Sequence, residues 1–336
     1  MFFNSKKYSL IADIGGTKTV LAIMDSKDNI LLKKVYLSRD IKHFTDTLHE
    51  FMHMKECKKY NVKDACIAVS GPVNTERDYA RPTNLSWTVD KHSILVRTPL
   101  RRVVLLNDFE AVGFAMDTLK QEQYIELTDT STYNSETIAV IGVGTGLGIS
   151  ILPNTYGKHF PLPSEGGHID LPINSKDAID TKFQSYLIQK KLYHDAEDVV
   201  SGRGIVNIYN FLLTQKVKHD KRIAQTIRNE VDADKPAIIT KYALEDRDAL
   251  CIRTLELFIK YYARISRNLA LTTLCSRLVL AGGISPKIVS ALQDVFVEEF
   301  VQHDVESMRK MLEQIQIIVI TDQNITLQGA MNALKI

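Results

Sequence analysis

Apolar residues over the first 110 positions fall in short unbroken runs cut by glycine or Asn/Asp clusters, the pattern of buried strands. Residues 8–14 read as one strand, 15–17 as a glycine turn and 19–24 as the returning strand of a hairpin. A turn cluster at 26–29 leads into a third strand over 30–37. The period then lengthens: Phe44, Leu48, Phe51, Met52 and Cys57 fall near one face of a helix predicted over 44–60. Strands follow at 65–69 and 103–106, with helices at 90–96 and 109–119, so the order is βββαβαβα.

The order then recurs. A strand at 137–143, a glycine turn at 144–148 and a strand at 149–152 make a second hairpin, and a third strand is expected within 156–171. Helices come next, clearest over 248–275, then a strand at 277–280, a helix at 286–300, a strand at 315–320 and a helix at 326–334. The two halves share organisation rather than close sequence repetition. No low-complexity linker separates them, and the junction is placed in 108–118, where the first set of elements ends.

Length supports the division, because 336 residues exceed what one hydrophobic core usually spans. Forty-two basic residues face forty acidic ones, and a net charge of +2 gives no bulk electrostatic case for nucleic acid or an anionic membrane. Residues 1–7 lack the apolar core of a signal peptide. No apolar run approaches the roughly 18 residues that read as a membrane span. Cys57, Cys66, Cys251 and Cys275 show no CxxC spacing, which suits reduced, packed thiols and a cytoplasmic location.

The chemistry gathers at the turns. In Asp13-Ile-Gly-Gly-Thr17 and Gly142-Val-Gly-Thr-Gly-Leu-Gly148 the glycines allow backbone N–H groups to converge on an anion, and Thr17 and Thr145 add hydroxyls. Either turn alone is equally well a tight hairpin turn, but two in equivalent places of a duplicated chain favour a phosphate clamp. Neither is a P-loop, since GxxxxGK[ST] is absent, and neither is a GxGxxG opening a helix. Asp13, at a strand end, suits Mg²⁺ held through water or a plain turn cap. Asn107 and Asp108 end an apolar strand, where ligands of α/β proteins collect. There Asp108 could take a proton from an attacking hydroxyl during phosphoryl transfer, and either residue could N-cap the helix that follows.

Ser164-Glu-Gly-Gly-His-Ile-Asp170 sets Glu165 and His168 on a glycine turn suited to sugar hydroxyls, to a weak metal site or to plain surface. Glu197 reads as a surface carboxylate. Gly282 and Gly283 sit between a strand and a helix, where a flat ring could approach the backbone or a tight turn could suffice. His49, His53 and Cys57 fall at i, i+4 and i+8 of one predicted helix, a row open to a metal or to a half-buried face.

Taken together, the strings LIADIGGTKTVLAI, ACIAVSGPV, RPTNLSW, LLNDFEAVGFA, GVGTGLGIS, SEGGHID, AEDVVSGRGIVNIYNFL, RNLALTTL, LVLAGGISPKI and ITLQGAMNAL resemble the bacterial-type glucokinase family, from about Leu10 to the C-terminus. The order of the motifs, with SEGGH and LLNDFEAV as the specific part, carries the resemblance. It implies an α/β chain of the two-lobed actin-like ATPase fold, duplicated RNase H-like βββαβαβα domains around a cleft. The expected small lobe covers 1–108, joined by the C-terminal helix at 324–336, and the large lobe 109–323. By resemblance Asp108 is the catalytic base, and Asn84, Asn107, Asp108, Glu165, His168 and Glu197 bind glucose. Gly15, Gly16, Thr17 and Lys18 form the first phosphate element, Gly144, Thr145 and Gly146 the second, and Gly282 and Gly283 the adenosine element. ATP, Mg²⁺ and a homodimer are also implied.

The chain departs from the family at two places. Lys18 stands where close glucokinases tend to carry Asn and resembles the related repressor–open-reading-frame–kinase family. That family's cysteine-rich zinc motif has no counterpart in residues 169–198, so no structural zinc is expected. Arg203 stands where close relatives often have proline. The expected activity is ATP-dependent phosphorylation of glucose at the 6-hydroxyl. The rivals are a kinase for another hexose, such as mannose or an amino sugar, a non-catalytic ATP-dependent scaffold or sugar sensor, and a sugar-sensing regulator. The last is disfavoured because only twelve residues precede Asp13, too few for a DNA-binding helix-turn-helix.

Overall fold

The computed structural model describes residues 8–83, 85–129, 132–192, 195–245 and 247–336. The chain divides into two compact units, one of Met1–Leu119, Asn154–Pro163 and Asp322–Ile336, the other of Lys120–Pro153 and Ser164–Thr321.

The first unit begins with β1 (Tyr8–Ile14), β2 (Lys18–Asp25), β3 (Ile30–Leu37), α1 (Phe44–His53), α2 (Lys55–Lys58) and β4 (Asp64–Val69). It continues with the short strands β5 (Tyr79–Ala80) and β6 (Val89–Asp90), then α3 (Lys91–Arg97), β7 (Arg102–Asn107) and α4 (Asp108–Phe114). Its sheet runs β3-β2-β1-β4-β7, with β1, β4 and β7 parallel. Their carboxyl ends therefore lie at one edge, and that edge presents Asp13, Ser70 and Asn107–Asp108. The apolar residues of β1 point alternately to two cores. Leu10, Ala12 and Ile14 pack with Phe44, Leu48, Phe51 and Trp87 on one face, while Ile11 packs with Ala111, Leu327 and Ala330 on the other.

The second unit contributes β8 (Tyr124–Glu126), β9 (Ile138–Val143) and β10 (Leu147–Leu152). The hairpin β11 (Asn154–Thr155) and β12 (Lys158–His159) belongs to the first unit. The second unit resumes with α5 (Ala178–Gln189), α6 (Gly202–Thr214), α7 (Lys221–Asn229), α8 (Lys235–Leu244) and the long α9 (Ala249–Thr273). It closes with β13 (Arg277–Ala281), α10 (Val289–Val301), α11 (Glu306–Leu312) and β14 (Gln316–Ile320). Its sheet runs β10-β9-β13-β14-β8. Buried Tyr261 and Tyr262 of α9 pack with Phe183, Phe258 and Phe296 in its core. Within that core Arg264 bridges Asp180 and Glu299.

The last helix, α12 (Ile325–Ala333), packs on α4, β1 and β4 of the first unit. Gly329 permits the approach: a side chain there would collide with the Ala111 carbonyl of α4. Asn332 ties the two helices further, donating to Phe114 O at 3.1 Å and to Thr118 Oγ1 at 2.8 Å.

Two expected elements differ. Residues 156–171 add no strand to the second sheet, whose fifth strand is instead β8, antiparallel at the opposite edge. The segment turns early at Tyr156, with φ of 54°, and Gly157, with φ of 79°, into the β11–β12 hairpin. The helix expected over 44–60 breaks at Met54, whose extended ψ of 145° separates α1 from α2. His49 and His53 stack at 4.0 Å, but Cys57 lies buried on the other helix, and the described residues hold no group of three potential metal ligands.

Candidate active site

The edge formed by β1, β4 and β7 holds the first cluster. Asn107 N-caps α4, its Oδ1 accepting the Phe109 N–H at 2.8 Å, while its Nδ2 donates to Gly71 O at 3.3 Å. Glu110 reaches back to the Asn107 N–H at 3.0 Å and completes a capping box. Arg77 grips that buried carboxylate, Nη2 to Oε1 at 2.7 Å and Nη1 to Oε2 at 3.3 Å. The cap thus fixes the backbone on which Asp108 stands. Asp108 accepts the Phe109 N–H at 3.0 Å and a hydrogen bond from the Ser70 side chain.

Burial, followed by the nearby charge of Asp13, pushes the Asp108 carboxyl up to about 7 despite those two bonds. Burial also raises Asp13 to about 6, against the attraction of Lys33. A carboxyl titrating near neutrality at a strand end is matched to general-base work.

The first glycine turn is braced from below. Gly15 N–H donates to Lys18 O at 2.9 Å, and the Ser38 hydroxyl donates to Gly15 O at 2.7 Å. Buried Ser38 also takes part in a bond with Thr19 Oγ1 at 2.9 Å, and its N–H donates to Thr17 O. Thr17 and Lys18 are exposed, Gly16 partly so. Asn84 lies outside the described residues.

In the second unit the predicted residues Glu165, His168 and Glu197 form one electrostatic cluster. Glu165 precedes a single helical turn at Gly166–His168, and His168 N–H returns to Glu165 O at 3.0 Å. Bare Gly167 lets this turn lie against the Leu147 backbone, which a side chain would strike. Glu197 N–H then donates to Gly167 O at 2.9 Å, and Glu197 Oε2 accepts the Leu147 N–H at 3.0 Å. Leu147 is the exit of the second glycine turn, so Glu197 is bonded directly to that turn. Partial burial raises the Glu165 carboxyl; His168 opposes the rise and Glu197 adds to it.

The His168 imidazole is raised above its ordinary value, first by Asp195, whose Oδ2 lies 2.9 Å from Nδ1, and further by Glu197 and Glu165. The Asp195 bond at Nδ1 holds the imidazole ring in place.

The same unit brings the third glycine element alongside. Gly144 N–H donates to Gly146 O at 2.9 Å, closing the turn, and Gly144 O accepts the Gly202 N–H that opens α6. Gly282, with φ of 84°, lies against Val143, and a side chain on Gly144 would stand 4.0 Å from Gly283 N. Gly144, Thr145, Gly146, Gly282 and Gly283 therefore adjoin.

Sequence reasoning missed four contributors. Glu110 was legible, since Asn-x-x-Glu at residues 107–110 is a capping-box pattern. Ser38, Ser70 and Asp195 carried no spacing signal, because each reaches its partner through tertiary pairing.

The sequence profile described as Glucokinase matches residues 10–336. The chain belongs to the glucokinase family. Among curated members, a glucokinase of Nostoc punctiforme is 34% identical, the match covering 96% of this chain and 97% of the relative. The crystal structure of a glucokinase from an Antarctic psychrotroph, 26% identical, superposes with a TM-score of 0.77 over 98% of this chain and 99% of that one. A Balamuthia mandrillaris glucokinase solved in complex with glucose shares the fold, with a TM-score of 0.81 at 22% identity over 99% of this chain and 95% of that one. The two units thus have the duplicated α/β architecture of sugar kinases with the actin-like ATPase fold.

Proposed function

We propose that the protein phosphorylates glucose at its 6-hydroxyl with ATP. The observation that carries this reading is Asp108, a capped, crowded carboxyl with raised proton affinity at the carboxyl end of β7 in a chain of the glucokinase family. Ionised Asp108 accepts the hydroxyl proton as the sugar oxygen attacks the γ-phosphorus, the bond to the bridging oxygen breaks and ADP departs. Asn107, Glu165, His168 and Glu197 hold sugar hydroxyls, and the resemblance adds Asn84. Carboxylates suit this because each oxygen accepts more than one hydrogen bond.

The family resemblance assigns phosphate contacts to Gly15, Gly16, Thr17 and Lys18 and to Gly144, Thr145 and Gly146, and the adenosine to Gly282 and Gly283. Asp13 fits Mg²⁺ held through water, because its carboxyl stands beside a second acid and a cation relieves that repulsion. When bound, Mg²⁺ neutralises phosphate charge. No described helix is long and apolar enough to cross a membrane. A cytoplasmic homodimer without structural zinc completes the reading.

The test is purified protein with Mg·ATP and a panel of glucose, mannose and amino sugars, following ADP release and identifying the product. Glucose 6-phosphate formed with the highest kcat/KM is expected. Preference for another hexose moves the specificity, and no ADP release with any hexose refutes the kinase assignment.

A further inference from the structure

We propose that Arg203 is a positioning residue for sugar binding that acts through Glu197. Arg203 stands in the first turn of α6, where a cation opposes the helix dipole, so the helix itself gains nothing from it. Its surroundings supply the reason. Nη2 lies 3.2 Å from Glu197 Oε1 and 3.1 Å from Asp198 Oδ1. On the far side, Glu197 Oε2 accepts the Leu147 N–H at 3.0 Å. One donor on each oxygen fixes the plane of the carboxylate, and the remaining lone pairs are left for an incoming hydroxyl.

The neighbourhood makes this clamp necessary. Glu165 and Asp195 act on His168 together with Glu197, and Asp198 follows Glu197 directly. Four acids therefore crowd one region, and among the described residues Arg203 brings a guanidinium to Glu197 and Asp198 while His168 meets Asp195. Glu197 is only 13% exposed at its side chain, against 52% for Arg203. Without the guanidinium, Oε1 loses its fixed donor, and repulsion from Asp198 and Glu165 turns the carboxylate away from its acceptor geometry. The affected quantity is ground-state sugar binding, because Arg203 meets Glu197 and Asp198, and Glu197 is the residue assigned to the sugar. The inference rests on the assignment of Glu197 to the sugar.

The experiment is steady-state kinetics with varied glucose at saturating Mg·ATP on the full chain, Arg203→Ala, Arg203→Lys, Glu197→Gln and the Arg203→Ala/Glu197→Gln double variant, with thermal unfolding of each. Arg203→Ala is expected to raise the KM for glucose about three- to tenfold, as for a partly exposed charged hydrogen bond, with kcat held within about twofold. Arg203→Lys should recover most of the loss, and the double variant should be no worse than Glu197→Gln alone. An unchanged KM in Arg203→Ala, a lysine variant no better than alanine, or multiplying effects in the double variant would each overturn the proposal. Should Arg203→Ala fail to fold, Arg203→Gln, which keeps the first three side-chain carbons and removes the charge, takes its place. If Glu197→Gln itself leaves the KM for glucose unchanged, the sugar assignment of Glu197 falls and takes this inference with it, a result distinct from the loss of Arg203 coupling alone.

Discussion

Asp13, on β1, and Asp108, the residue that follows β7, stand at the same edge of one sheet with β4 between the two strands, and the charge of Asp13 holds the proton more tightly on Asp108. Both carboxyls have folded values, about 6 and about 7, above the 3.8 of an unperturbed aspartate. Unfolding therefore releases protons between those values, and the ligand-free protein loses stability as pH rises from about 4 to about 7. Melting temperatures across that range should fall with pH more steeply in the natural protein than in Asp13→Asn, which removes one group and eases the other. Equal slopes would show that Asp13 neither holds its own proton more tightly in the folded protein nor raises Asp108.

Two glycines separate fold from chemistry. A methyl on Gly146 would meet the Glu197 carboxylate, which can give way only by breaking its bond to the Leu147 N–H, so Gly146→Ala should keep the fold yet raise the KM for glucose about tenfold, as for loss of a charged hydrogen bond, and raise the KM for ATP with it, since Gly146 belongs to the second phosphate element. A methyl on Gly282 would meet the Val143 backbone at a φ of 84°, where nothing can yield cheaply. Gly282→Ala should cost about 1–3 kcal/mol of stability in denaturant unfolding, the range for enforced backbone strain.

Glu110 carries the cap beneath Asp108. Glu110→Ala removes the bond to the Asn107 N–H and strands Arg77, which is partly exposed and can turn to water. The expected loss is about 1–3 kcal/mol, below that of a fully buried pair. Urea unfolding measures it, and kcat should fall as well, since the backbone under Asp108 loosens.

Asp195 orients His168 and is the main cause of its raised proton affinity. Asp195→Asn should bring the imidazole back toward its ordinary value, which NMR titration reads directly, and should weaken glucose binding severalfold with kcat little changed. An unmoved imidazole titration would remove Asp195 from that role.

The strands of both hairpins and the α4, α9, α10 and α12 helices were legible because each is a long apolar run or a clear helical period bounded by glycine or polar turns. The 44–60 helix misled because its apolar stripe continues through Met54 while the backbone does not. The expected third strand in 156–171 has apolar residues enough, yet the positive φ of Tyr156 and Gly157 turns the chain into a short hairpin that ends at His159, before most of them. Asp108 and Glu165 were visible as polar residues at strand ends and turns. Ser38, Ser70 and Asp195 were not, because a hydroxyl or carboxylate that serves a partner distant in sequence leaves no local period.

The most direct measurement of the central claim is the turnover of Asp108→Ala with Mg·ATP and glucose, alongside its glucose affinity in the absence of nucleotide. The account predicts that kcat falls about 100-fold or more, the range for loss of a general base, while glucose still binds within a few-fold of the natural protein. Near-normal turnover in a folded Asp108→Ala protein would contradict it.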